Sequence, residues 1–136
     1  MPIKTSDVSI QSDNTVNDDA QLRFMVSANE WVFGHAVIFI TSGTTPDFRY
    51  NFSVPVGATG TRFDAALSAV VMSVTATLVT EETAIATTGA KQAIFIPFSL
   101  LVGSTAGEVI FRWAQNTSTA SNTTVHAGSY IKVWRV

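Results

Sequence analysis

Charge is what this sequence is shortest of. Its 136 residues carry 8 Lys and Arg and 10 Asp and Glu, a charged share of 13%, about half that of an ordinary soluble domain. Too few ionised side chains remain to cover a monomer's surface. Apolar residues make up 46%, and Ser, Thr, Asn and Ala supply most of the rest. That mixture suits a β protein with part of its outside packed against neighbours, because unpaired buried charge is costly. A Thr-rich soluble monomer is the alternative. Cysteine is absent, which excludes disulfides and thiolate metal sites. The basic residues are scattered and the net charge is -2, which argues against a nucleic-acid partner, whose phosphates demand clustered Lys and Arg. Long apolar runs are missing too. Met1 to Asp7 has no apolar stretch of the kind a signal peptide needs, and no run reaches the length of a membrane span. The expectation is a chain made in the cytoplasm with no membrane partner, so that the sequons at Asn51, Asn116 and Asn122 read as ordinary turn and strand chemistry.

What is present is a succession of period-two segments. The length suits one domain with a real core. Residues 1–20 are polar and include the acidic run from Asp13 to Asp19, with alternation only at Val8 and Ile10. They read as an N-terminal arm, at most with one short edge strand, and residues 21–136 as the domain. Leu22, Phe24, Val26 and Ala28 alternate with polar neighbours, as a half-buried strand does. Glu30 to Thr41 is apolar on both faces, so both of its sides should be covered, one by the core and one by something else. Residues 42–47 are a turn cluster. Phe48, Tyr50, Phe52 and Val54 point one way while Arg49, Asn51 and Ser53 point the other. A glycine loop, Val56 to Gly60, precedes the ambiguous stretch Phe63 to Val70, readable as loop or helical turn. Val71 to Thr80 reads as a strand that Glu81 and Glu82 end in solvent. Ala93 to Val102 is again apolar on both sides, with Pro97 implying an edge or a bulge. Residues 107–115 and 129–136 complete a set of short strands with no amphipathic helix, which predicts an all-β antiparallel sandwich or barrel.

Catalytic templates fail on specific residues. The 56–60 loop lacks the Lys of a phosphate-binding loop, no G-x-S-x-G elbow occurs, and His35 and His126 have no neighbouring ligand pattern. Glu81 and Glu82 are adjacent and so face opposite ways on a strand, unlike a glycosidase pair. The cluster of Asp13, Asn14, Asn17, Asp18 and Asp19 could offer oxygens to calcium, yet it lacks the Gly and the terminal Glu of a binding loop. No enzyme activity, cofactor or metal is expected.

The most specific pattern lies in the last third: Gly107-Glu108-Val109-Ile110-Phe111-Arg112-Trp113-Ala114-Gln115-Asn116, then Thr123-Thr124-Val125 and Gly128-Ser129-Tyr130-Ile131-Lys132-Val133. It resembles the closing strands of the tumour-necrosis-factor-like jelly rolls of tailed-bacteriophage virion proteins. The blocks Asp18-Asp19, Asn29-Glu30-Trp31 and Pro46-Asp47-Phe48 to Gly57 are similar as well, so the resemblance spans most of residues 18–136. It implies a jelly roll that assembles as a homotrimer with its closing strands near the three-fold axis, and it carries the trimer interface to Phe111, Trp113, Gln115, Tyr130 and Lys132. As strand positions that mix aromatic and amide groups, these suit a partly buried contact. Trp113 and Tyr130 would equally fill a monomer's core.

Comparable domains serve as capsid decoration (cement) proteins or as terminal domains of tail fibres. The chain starts at Met1 and holds an arm plus one domain, which favours decoration. The expectation is a trimer on the virion surface that binds the major capsid protein, with the arm reaching across the shell through Ile3, Val8, Ile10, Asp13, Asp18 and Asp19. The alternative is a receptor-binding or carbohydrate-binding tip that recognises its target with loops 42–47, 56–62 and 116–124.

Overall fold

A computed structural model describes residues 1–67 and 72–136, with side chains placed outside residues 65–77. The described residues form eleven strands. These are β1 (Val8–Ile10), β2 (Asn17–Val26), β3 (Trp31–Thr41), β4 (Phe48–Ser53), β5 (Thr59–Leu67), β6 (Met72–Leu78), β7 (Thr83–Ile85), β8 (Lys91–Leu101), β9 (Gly107–Gln115), β10 (Thr123–Val125) and β11 (Tyr130–Arg135). They build two antiparallel sheets packed into a β-sandwich. The larger runs β1-β10-β3-β8-β5-β6, with β11 also pairing β3, and the smaller runs β2-β9-β4-β7. Phe63 to Leu67, within the stretch whose sequence is ambiguous, is strand. The rest of that stretch, and Val71, lie outside the described residues.

The core forms where the period-two apolar positions of the two sheets face each other. Val32, Ala36, Ile38 and Ile40 of β3 and Ile94, Ile96, Phe98 and Leu100 of β8 point inward from the larger sheet. Leu22, Phe48, Tyr50, Phe52, Val109, Phe111 and Trp113 answer from the smaller one. Burying each large apolar side chain contributes about 1.5–3 kcal/mol. The alternation expected of residues 48–54 is present, with Phe48, Tyr50 and Phe52 interior.

A charged cluster is built into this core. Arg62 is fully buried. Its guanidinium donates to the carbonyls of Leu78, Val79 and Glu81 at 2.6–2.7 Å, to Thr83 Oγ1 at 2.8 Å and to Asp64 at 2.9 Å. Tyr50 also donates its hydroxyl to Asp64. Burial first, then the Asp64 carboxylate, push the Tyr50 phenol far above its ordinary range, so it stays a donor. Every donor direction of the guanidinium is used, which is what makes a buried charge tolerable.

Three sequence expectations need correcting. Pro97 marks neither an edge nor a bulge. β8 is central, and Pro97 holds regular register with His35 of β3. The missing N–H shows on the other side, where the β5 ladder drops out between Arg62↔Phe98 and Ala65↔Phe95.

Residues 1–20, secondly, hold the short edge strand that Val8 and Ile10 suggest, but they are not a free arm. Strand β2 begins at Asn17, across the expected boundary. β1 pairs β10 through Val8↔Val125 and Ile10↔Thr123. The Lys4 N–H donates to the Ser129 carbonyl at 2.8 Å, and the Ile131 N–H to that of Pro2 at 3.0 Å. The polar composition misleads because this segment is held by backbone bonds, which composition does not report.

Thirdly, Phe111, Trp113 and Gln115 are interior to the monomer. Val109, Phe111 and Trp113 are the apolar register of β9, so the strand turns that face to the opposite sheet and leaves Glu108 and Arg112 outside. Gln115 then holds the following loop, donating to the Ser121 carbonyl at 2.8 Å and accepting from the Thr119 N–H at 3.0 Å.

Candidate functional site

The two outer faces of the sandwich differ in kind. Outside the smaller sheet lie ion pairs: Arg23 with Glu108 at 2.9 Å, Arg112 with Asp18 at 3.0 Å and Arg49 with Glu82 at 3.4 Å. These partly exposed pairs each contribute about 0–1 kcal/mol, but they keep that face wetted.

Outside the larger sheet lie aromatic rings. The odd positions of β3 are Trp31, Phe33, His35, Val37 and Phe39, and this register faces away from the core because the even positions fill it. β8 adds Phe95 and Pro97, β11 adds Tyr130, Lys132 and Trp134, and β5 adds Phe63. Trp31, Phe33, Phe63, Phe95 and Trp134 are each 38–48% exposed, unusual for rings this large and this close together. Trp31 and Phe33 lie nearly parallel, with centroids 5.9 Å apart and planes at 9°.

His35 sits at the centre. Its ring centroid is 5.1 Å from Phe95, 5.4 Å from Trp134 and 5.9 Å from Tyr130. Burial first, and then the Lys132 charge, hold its pKa below the ordinary histidine value. Among the described strands of this sheet the basic side chains on this face are Lys91 and Lys132. Each lies over a ring of its own chain, Lys91 Nζ 5.7 Å from Phe39 and Lys132 Nζ 5.2 Å from Trp134. The one carboxylate carried by the described strands of this sheet, Asp64, points inward to Arg62.

The sequence-predicted site residues are thus divided. Tyr130 and Lys132 belong to the aromatic face, while Phe111, Trp113 and Gln115 are interior. Of the six residues assigned to the arm, Val8, Ile10, Asp13, Asp18 and Asp19 line an open groove of about 520 Å³ with Lys4 and Trp113, and Ile3 lies apart, bridged to Tyr130. Asp19 cannot face a partner protein. It is 3% exposed, pairs with Lys4 Nζ at 2.7 Å, and accepts from Trp113 Nε1 at 3.1 Å. The exposed Asp18 is already paired with Arg112. Loops 42–47 and 116–124 meet, since the Asn116 and Thr117 N–H groups both donate to the Pro46 carbonyl, but 56–58 lies at the other end of β4 and 59–62 is part of β5. The two histidines are far apart in role, His126 bonding Thr41 and Asp7. Among the described residues no three His, Asp or Glu side chains gather as a metal site would require.

Trp31, Phe33, Phe95 and Trp134 were the residues that sequence reasoning left unassigned. Their signal was the two-sided apolar character of residues 30–41 and 93–102. Compared with family models, curated proteins and solved structures, the chain matches none.

Proposed function

We propose that this chain is a self-assembling structural protein of a tailed-bacteriophage virion: a trimeric decoration protein that seats on the capsid, binds the major capsid protein and stabilises the shell. The observation that carries this reading is the division of the sandwich's outside into an ion-paired face and an aromatic face. A surface this poor in charge suits a protein that works with one side covered. The order β2-β9-β4-β7 opposite β10-β3-β8 supports a jelly-roll topology for the sandwich. Stabilisation follows by mass action, since a protein that binds only the assembled lattice shifts the equilibrium toward it, and interfaces of about 1,600 Å² in total are sufficient for stable association. With residues 1–20 held in the fold, the capsid contact in this reading is made by the folded body.

Electron microscopy of purified particles tests the reading: density for the sandwich on the outside of the shell supports it, and particles without it, or with it only at the tail, overturn it. The near-parallel, exposed rings of Trp31 and Phe33 favour a second reading, a carbohydrate-binding tail tip, because sugar rings stack on flat aromatic faces. Glycan binding by the isolated protein, together with no affinity for capsids, selects it.

A further inference from the structure

We propose that the aromatic outer face of the larger sheet is the surface on which a second copy of this chain seats, with His35 at its centre. The inference rests on the self-assembly reading above and places its contact: not on the closing-strand residues Phe111, Trp113 and Gln115, which are interior, but on β11, β3, β8 and β5.

Size supports a copy of the chain as the occupant. β11 and β8 flank β3, and β5 flanks β8, while β3 and β8 are 11 residues long. With β5 and β11 at 9 and 6 residues, the four strands, about 4.8 Å apart and about 3.3 Å long per residue, present roughly 600 Å² of sheet, about three quarters of the roughly 800 Å² per partner of a standard stable interface.

Charge supports the same occupant. A partner recognised by its acidity would be met by free cations, yet Lys91 and Lys132 are both laid over rings of their own chain. A basic partner would be met by carboxylates, and the described strands of this sheet put none on this face, while Asp7 at its β10 edge is taken up by His126 and the Ala127 N–H. What the face offers is flat aromatic area of low charge, which apolar surface on a sister chain complements. Trp31, Phe33, Phe95 and Trp134 supply large, stiff rings of the kind that dominate such contacts.

The test is the concentration dependence of mass by sedimentation, starting from the 14.6 kDa monomer. Phe33→Lys and Phe95→Lys should each weaken association at least tenfold with the circular dichroism of the parent retained, and Met25→Lys, on the ion-paired side, should leave it unchanged. Variants that associate like the parent overturn the face assignment while self-assembly stands. A parent that stays at 14.6 kDa at every concentration overturns the self-assembly reading itself, and in that case glycan-dependent shielding of the tryptophans would give the face to a sugar. The parent alone supplies a second measurement, should a variant fail to fold. Trp113 is already interior, so acrylamide quenching should fall with concentration through Trp31 and Trp134; quenching that does not change while the mass rises overturns the proposal.

Discussion

Lys4 Nζ and Asp19 Oδ2 lie 2.7 Å apart with only 1% and 2% of their side chains exposed, so an ion pair closed off from water joins the N-terminal segment to β2. Removing one member leaves the other charged and buried. Lys4→Met is expected to destabilise the fold by about 3–5 kcal/mol, and the double change Lys4→Met with Asp19→Leu by less than the sum of the single ones. Urea denaturation measures both. A loss below about 1 kcal/mol for Lys4→Met would mean that the pair behaves as a surface pair.

The same carboxylate sets an acid limit. Burial acts to raise the Asp19 pKa, but Lys4 and the backbone N–H groups of Gln21 and Leu22 outweigh it and hold the pKa below its ordinary value. The unfolded chain therefore takes up this proton more readily than the folded one. Stabilisation is complete above the unfolded value, about 3.9, and is lost as pH falls from there through the folded pKa. Denaturation midpoints should drop on acidification below about pH 4, and Asp19→Asn should flatten that part of the profile.

The Arg62 cluster should separate two kinds of loss. Arg62→Met strips donors from three carbonyls and leaves Asp64 uncompensated, for about 3–5 kcal/mol. Tyr50→Phe removes one donor from Asp64 and should be milder, about 1–3 kcal/mol. Thermal melting should place the two variants in that order; the reverse order would assign the stabilisation to the phenol.

Gly34 marks a close approach of strands. A Cβ there would run into the Lys132 carbonyl, with the Phe98 ring 2.8 Å away on the other side. Gly34→Ala should cost at least about 1–3 kcal/mol, whereas alanine at Gly89, where no atom lies within 4 Å but φ is +86°, tests backbone strain alone. Comparing the two melts separates collision from conformation.

Association should weaken in acid through His35. Lys132 faces it from β11, Phe95 and Pro97 face it from β8, and Phe33 and Val37 flank it on β3, so the one fixed charge near it among the described residues is positive. Burial and that charge hold its pKa down, and the neutral ring persists to below the ordinary value of about 6.5. As pH falls through the folded pKa, a third cation joins Lys91 and Lys132 on the contact face, beside Lys132. The sedimentation constant should therefore fall between neutral pH and about pH 5, and His35→Phe should remove that dependence. A parent whose association is flat across this range places His35 outside the contact.

Much of the fold was legible because alternation reports burial directly. Phe48, Tyr50 and Phe52 and the even apolar positions of β3 and β8 are interior as the period-two pattern requires. β9 was legible as a strand but not as a face: Phe111 and Trp113 look alike whether they meet a sister chain or the opposite sheet, and only the pairing of β9 between β2 and β4 decides. Residues 1–20 were read as loose because their partners, Ser129, Ile131 and Val125, lie more than 100 residues away and bond them mainly through backbone. The aromatic face was written in Trp31, Phe33 and Phe95, yet it takes β11 beside β3 to bring Trp134 and Lys132 to His35.

The pairing of chain beginning with chain end has a consequence for synthesis on the ribosome. β2 finds its partner only when residues 107–115 emerge, and β1 waits for residues 123–125. Until then β3 can pair only with β8, and its other flank, which takes β10 and β11, stays open. Emergence of β9 to β11, rather than any early local step, is the event that lets the sandwich shut, and a translation stall after about residue 105 would strand a sticky intermediate for chaperones to hold.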